Sequence, residues 1–482
     1  MTASVTAGLR TLVVGAGEAG RALTRDLLRT SRFGLLPVGF LDDNPAKRGI
    51  DGVKVVGRLD DTAAAVVRHG VEVVVIAIPG LPAQLFRDVA LAAEANGASV
   101  RHLPSFVAAL RRDVVGGDMR ALDVRRLTGR SEIPVVSDRT GSIITGKRVL
   151  VTGAGGSIGS ELCRQVHGFE PSRLFLLDHD ESHLHRLGLE LHGQALRDDD
   201  IVISDIRDRA RIDRVFAELR PQLVLHAAAH KHLPLLERHP CEGVKSNVLG
   251  TENLVRAALA AEVERFVLIS TDKAADPVSV LGATKRLAEL IVQSHAGGST
   301  VLTAVRFGNV LGSRGSLLSV LAEQLGSGRA LTVTHPDVTR FFMTVEEAVG
   351  LVLEAARMAA GGEVFVLDMG DEVRILDLVR EFARAMNVPD PEIHFTGLRP
   401  GEKMRETLFS TQEAYDRTPH QRILAATPSS RSALVAALRP LDELYAAAER
   451  NDRVETRRLL AWMLPGFPTQ ITEAETAHAV RR

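Results

Sequence analysis

The segment Ser270-Thr271-Asp272-Lys273 sets a carboxylic acid beside an amine, directly after the apolar run Arg265-Phe266-Val267-Leu268-Ile269. A short apolar run bounded by polar residues reads as a strand buried on both faces. Open α/β sheets place their chemistry at the carboxyl ends of such strands. An aspartate and a lysine at that edge suit acid–base work, one donating a proton while the other accepts one. A second lysine, Lys285, opens the next helical pattern, with Leu281 four residues before it.

The elements that must position these residues alternate between strand and helix patterns, which predicts an α/β fold of parallel sheets covered by helices. Strands are expected at Thr11–Val14, Pro37–Leu41, Val71–Ile78 and Ala98–Leu103. They recur at Lys147–Val151 and near 173–177, 201–203, 222–226, 265–269 and 301–306. Two glycine-rich strand-to-helix turns, one at Gly15-Gly17-Gly20 and one at Gly153-Gly156-Gly159, predict two Rossmann-like units. The expected domains are residues 1–110, a linker over 111–146, a larger unit over 147–425, and helices with a tail over 426–482. Within the last, residues 430–462 are alanine- and arginine-rich and read as two helices, and the polar terminus reads as a frayed tail.

The second turn, Thr152-Gly153-Ala154-Gly155-Gly156-Ser157-Ile158-Gly159, carries a dinucleotide fingerprint. Glycine lets the backbone approach a pyrophosphate, and the following helix offers N–H donors to it. Asp178 closes the next strand, nineteen residues after Gly159, and suits the ribose hydroxyls of NAD. Arg207 and Arg209 also suit a 2′-phosphate, so NADP stays open. The first turn admits two readings, nucleotide binding or packing against a neighbour. His226, His230, His232 and His239 gather in one stretch, but no carboxylate or cysteine stands at ligand spacing, so no metal site is expected.

Net charge is −1 with a pI near 7.0, so no global field draws the chain to nucleic acid or an anionic membrane. Cys163 and Cys241 lie far apart and form no Cys-x-x-Cys pattern, which fits a reducing compartment. No stretch reaches the roughly 18–20 apolar residues of a membrane helix. Residues 1–10 hold no apolar signal core, so a cytoplasmic location is expected.

Over residues 10–465, and most specifically between 147 and 410, the chain resembles the nucleotide-sugar 4,6-dehydratases of the capsule and polysaccharide biosynthesis family, which are extended short-chain dehydrogenase/reductases. The motifs are Ser270–Arg286, Ala227-Ala228-Ala229-His230-Lys231-His232-Leu233-Pro234, Arg306–Gly315, Thr334–Thr344 and Gly397–Lys403. Many relatives begin with membrane helices, and this sequence resembles a form without them. The segment Val38–Asp43 resembles the CoA-binding-like domain that precedes the catalytic one. Leu281 fills the slot where relatives carry tyrosine or methionine.

The resemblance implies a tightly held NAD, or NADP, that is never consumed. It implies a UDP-N-acetylhexosamine, most simply UDP-GlcNAc, dehydrated to a 4-keto-6-deoxy sugar, with a homo-oligomer as the expected assembly. Thr271 would bond the C4 oxygen, Asp272 and Lys273 would serve as acid and base, and Lys285 would hold the nicotinamide ribose. Gly153, Gly156, Ser157, Ile158, Gly159, Asp178, Asp205, Ile206, Ala227 and Ala228 would line the cofactor. Lys231, Asn309, Arg340, Arg399 and Glu402 would meet the substrate, and Asn247 would lie near the active site. Lysine at 273, where glucose-nucleotide dehydratases carry glutamate, points to the N-acetylhexosamine branch. An epimerase or oxidoreductase on the same scaffold is the alternative enzyme, and a non-catalytic nucleotide-binding protein the alternative class.

Overall fold

The computed structural model describes residues 8–468, apart from 30–34, 45–46, 48, 79–80, 82, 103–137, 193–199, 312, 314–316, 387, 389, 411–412 and 427–429. Two units part near residue 124. In the first, β1 (Leu9–Val14), β2 (Leu35–Leu41), β3 (Val55–Gly57), β4 (Val73–Ile76) and β5 (Ser99–His102) form one sheet in the order β3-β2-β1-β4-β5. All neighbours run parallel. Strand β3 is not among the expected strands. Of the stretch expected as a linker, residues 111–137 lie outside the described residues. Its remainder packs: Asp138–Ile143 is a 3₁₀ turn, and Ile144 is fully buried in a core cluster of the second unit.

The second unit is built on β6 (Arg148–Thr152), β7 (Arg173–Asp178), β8 (Ile201–Ile203), β9 (Leu223–His226), β10 (Arg265–Ile269) and β11 (Val301–Arg306). Six further strands pair locally: β12 (Asn309–Leu311) with β15 (Phe342–Thr344), β13 (Leu331–Val333) with β18 (Ile393–Phe395), and β14 (Thr339–Arg340) with β17 (Val373–Arg374). The nine-stranded sheet is completed by β16 (Val364–Leu367), β19 (Tyr415–Arg417) and β20 (Ile423–Ala426). Its order is β19-β20-β16-β11-β10-β9-β6-β7-β8. Strands β8 through β16 run parallel, and β20 and β19 add antiparallel pairs at one edge.

Each central strand is buried on both sides. In β10, Phe266 and Leu268 enter one core cluster while Val267 and Ile269 enter the other. This is the pattern of a parallel sheet covered by helices on both faces. Chain order reverses between β6 and β9, which makes the switch point where such sheets bind ligands. At that crevice Gly153 adopts φ +67°, and a Cβ on it would lie 2.5 Å from the Ala228 backbone nitrogen. Only glycine fits there.

The stretch read as two helices near the carboxyl terminus forms three: Arg431–Leu438, Leu441–Glu449 and Arg453–Met463. Pro440 marks the break between the first and the second, since it has no N–H to continue the helical hydrogen bonds. Asp452 caps the third by accepting the Glu455 N–H at 3.0 Å. Among the described residues no helix is long and apolar enough to cross a membrane. Both cysteines are buried, and burial pushes the Cys163 thiol up.

Candidate active site

Where β10 ends, the chain turns through Thr271 into a single 3₁₀ turn, Asp272–Ala274. The Thr271 hydroxyl donates to Asp272 Oδ1 at 2.9 Å, and Lys273 Nζ donates to the same oxygen at 2.9 Å. Asp272 is fully buried, and its Oδ2 is a buried oxygen without a hydrogen-bond partner. Lys273 Nζ also reaches Asn309 Oδ1 at 3.3 Å and lies 3.6 Å from Glu406 Oε1. Burial opposes the ammonium, but the Asp272 and Glu406 carboxylates outweigh it and hold the Lys273 pKa above its ordinary value. The two residues adjacent in sequence are thus a contact pair in space.

The helix Val280–Ser294 fixes this loop from behind. Ser279 caps it, its hydroxyl accepting the Gly282 N–H at 3.1 Å. Leu281 and Lys285 stand one turn apart, both buried. Leu281 belongs to the hydrophobic core. Lys285 has no hydrogen-bond or ion-pair partner among the described residues, and burial drives its pKa down to about 8. Further along, Arg306 Nη2 bonds Glu289 Oε2 at 2.7 Å and its Nη1 bonds Glu413 Oε2 at 2.6 Å. Arg306 and Arg286 hold the Glu289 pKa down at about 2 against the cost of burial. The same segment is anchored again where the Ser410 hydroxyl donates to Asp276 Oδ1 at 2.7 Å.

Around the glycine turn, a Cβ on Gly159 would stand 2.0 Å from the Gly153 carbonyl oxygen, so helix and turn touch backbone to backbone. Ser157 and Ile158 begin the helix Ser157–His167, with Gly156 as its N-cap. Asp178 Oδ2 accepts the Gly155 N–H at 2.9 Å, which braces the turn. The first unit repeats the arrangement, Asp42 Oδ2 accepting the Ala16 N–H at 2.7 Å. Ala227 continues from β9, its N–H donating to the Thr152 carbonyl at 3.0 Å.

Asp205 is gripped by Arg207, which also bonds Glu242 at 3.0 Å, and Ile206 is buried beneath Asn253. Arg207 is therefore already committed to two carboxylates. His226 is bound on both ring nitrogens, by Thr152 at 2.7 Å and Thr251 at 3.0 Å, and burial holds its pKa well below the ordinary value. Among the described residues no group of three or more side chains is arranged to hold a metal ion. Asn247 brackets His230, accepting its N–H at 2.8 Å and donating to its carbonyl at 3.1 Å, and Lys231 beside it is exposed.

Glu402 is held by the Arg340 side chain and by the Arg399 backbone. Arg340 Nη2 donates to its Oε1 at 2.9 Å, and the Arg399 N–H donates to its Oε2 at 3.1 Å. Arg340 is buried, and Arg399 is exposed. Of the motif Arg306–Gly315, Gly312, Arg314 and Gly315 lie outside the described residues. Sequence reasoning missed Glu406, which follows the Gly397–Lys403 motif by three residues. No spacing rule ties it to Lys273, because a loop far along the chain delivers it.

A family model described as polysaccharide biosynthesis protein matches residues 149–428. The chain is 40% identical over 423 residues to the capsular polysaccharide biosynthesis protein CapD of Staphylococcus aureus, covering 86% of this chain and 70% of that one. It is 29% identical over 293 residues to a UDP-N-acetylglucosamine 4,6-dehydratase (inverting) of Campylobacter jejuni, covering 60% and 84%. Among solved structures, Pen from Bacillus thuringiensis aligns with a TM-score of 0.55 at 32% identity, covering 60% of this chain and 91% of that one. With matches over this much of its length, the chain belongs to the polysaccharide biosynthesis protein family.

Proposed function

We propose that this protein is a nucleotide-sugar 4,6-dehydratase that removes water from a UDP-N-acetylhexosamine, UDP-GlcNAc in the first instance. The observation that carries the reading is the 2.9 Å contact between Lys273 Nζ and Asp272 Oδ1. Such a pair shares one mobile proton. Moved from nitrogen to oxygen, it leaves a free amine and a carboxylic acid, the base and the acid that an elimination needs together. Lys273 then takes the C5 proton, Asp272 protonates the departing C6 hydroxyl, and Thr271 bonds the C4 oxygen. The contact favours elimination over epimerisation, which calls for no such pair.

The switch-point crevice fits a dinucleotide. The Gly153 turn leaves no room for a side chain, a helix amino terminus follows it, and Lys285 is a buried amine without a partner. Gly153, Gly156, Ser157, Ile158 and Gly159 would hold the pyrophosphate, Asp178 the adenosine ribose, and Asp205, Ile206, Ala227 and Ala228 the walls around it. When bound, NAD supplies a hydride acceptor at C4 and a donor at C6, so the cycle consumes no cofactor. Asp205 and Glu242 already occupy Arg207, which favours NAD over NADP. Lys285 would meet the nicotinamide ribose. Lys231, Asn309, Arg340, Arg399 and Glu402 would face the UDP-sugar.

Incubating the purified protein with UDP-GlcNAc and following the mass of the sugar nucleotide tests the proposal. Loss of one water is the expected result. An unchanged mass with an altered NMR spectrum would establish epimerisation, and an unaltered substrate would leave a binding protein.

A further inference from the structure

Glu406 is the residue near the candidate acid–base pair that no motif supplied. Its side chain is 2% exposed, its Oε1 lies 3.6 Å from Lys273 Nζ, and its Oε2 is buried without a hydrogen-bond partner. A buried carboxylate oxygen left without a donor is costly, so its presence calls for a reason. The surrounding segment is held tightly enough to keep it there. Glu402 is bound by Arg340, Ser410 by Asp276, and Glu413 by Arg306, so the chain is pinned on both sides of Glu406.

We propose that Glu406 is a positioning residue that sets the protonation of Lys273 and so governs when the Asp272–Lys273 pair becomes a base and an acid. The inference rests on the dehydratase reading for its consequence in turnover, but not for its effect on Lys273 itself. The Asp272 and Glu406 carboxylates both favour the ammonium, while Arg340, itself paired with Glu402, opposes it. Asn309 completes the shell as a neutral acceptor. Passing a proton from Lys273 Nζ to Asp272 Oδ1 breaks one N–H bond and forms one O–H bond, with no change in net charge. A Glu406 carboxylate beside the amine holds the proton on nitrogen. An opposite charge within about 4–6 Å moves a pKa by roughly 1–3 units, enough to set the working pH.

The test is Glu406→Gln, which keeps shape and removes charge. Competitive acylation of the ligand-free protein across a pH series, read by mass spectrometry on the Lys273 peptide, gives the titration of that amine without needing turnover. The expected result is a midpoint about one pH unit or more below the parent's. The rising limb of the turnover profile should move to lower pH by the same amount. Glu406→Asp, which withdraws the charge by one methylene, should titrate between the two. It carries the test alone if the glutamine variant does not fold, since a value equal to the parent's would then overturn the proposal. A glutamine variant whose Lys273 titrates as in the parent overturns it directly. If no UDP-hexosamine is turned over but the labelling midpoint moves, the dehydratase reading fails and the role of Glu406 stands.

Discussion

Gly282 and Lys273 meet backbone to backbone: a Cβ placed on Gly282 would stand 2.2 Å from the Lys273 carbonyl oxygen. The helix Val280–Ser294 therefore acts as a stop against which the acid–base loop rests. Gly282→Ala must move either the helix or the loop, because neither partner is a flexible side-chain end. Overpacking of this kind costs about 1–3 kcal/mol. A lowered melting temperature is expected, together with a fall in turnover larger than any loss of bound dinucleotide, since the displaced atoms belong to the Lys273 loop. An alanine variant with parental turnover would show that the loop does not depend on this contact.

Asp272→Asn and Lys273→Ala should each abolish water loss while leaving dinucleotide content close to the parent's. Neither side chain touches the Gly153 turn, and each is assigned to proton transfer alone. Losing one positioned proton-transfer group costs about 10²–10⁴ in rate. Turnover by mass change and nucleotide released on denaturation measure the two halves separately. Near-parental turnover in either variant would remove that residue from the mechanism.

Leu281 is part of the hydrophobic core, with only 6% of its surface exposed, and it has no ionisable group. The proton of the C4 hydroxyl must leave by a route other than this residue, and a water held between Thr271 and Lys285 would provide one while Asp272 and Lys273 serve the elimination. Leu281→Met conserves volume, a change that usually costs under about 1.5 kcal/mol. Its pH–rate profile should run parallel to the parent's. An inert parent beside an active methionine variant would identify this leucine as a disabling substitution.

The sequence carries the loop chemistry well where neighbours in space are neighbours in the chain. Thr271, Asp272 and Lys273 are legible because a single strand end presents all three. The Gly153 turn is legible because its glycines answer one local steric demand. Glu406 and Glu413 are not, because they arrive between β18 and β19, in a stretch with no strand or helix period to place them. The pairing of Arg340 with Glu402 is not legible either, because the two lie far apart in sequence and meet only in space. The three terminal helices were read as two because composition gives helical character readily and breaks between helices poorly.

Lys285 is a buried amine kept without a partner, and that arrangement has a measurable cost. Its pKa is driven to about 8 from an ordinary 10.5, so the ligand-free folded state binds the proton less readily than the unfolded chain. Between pH 8 and 10.5 the unfolded state holds more protons, and stability must rise with pH across that window. Below pH 8 the full penalty applies. At about 1.4 kcal/mol per unit, this amounts to about 3 kcal/mol. Lys285→Met fills similar volume without a charge, so the cofactor-stripped variant should be more stable than the parent at pH 7 by up to that amount. Its stability should also show no rise from this residue between pH 8 and 10.5. Urea unfolding at pH 7 and pH 10 measures both effects. The same variant should lose dinucleotide affinity, because the amine is the group assigned to the nicotinamide ribose. Gain of stability with loss of cofactor is the pattern of a residue retained for function at the expense of the fold. A methionine variant that is less stable at pH 7 and still retains dinucleotide would show that Lys285 serves packing instead.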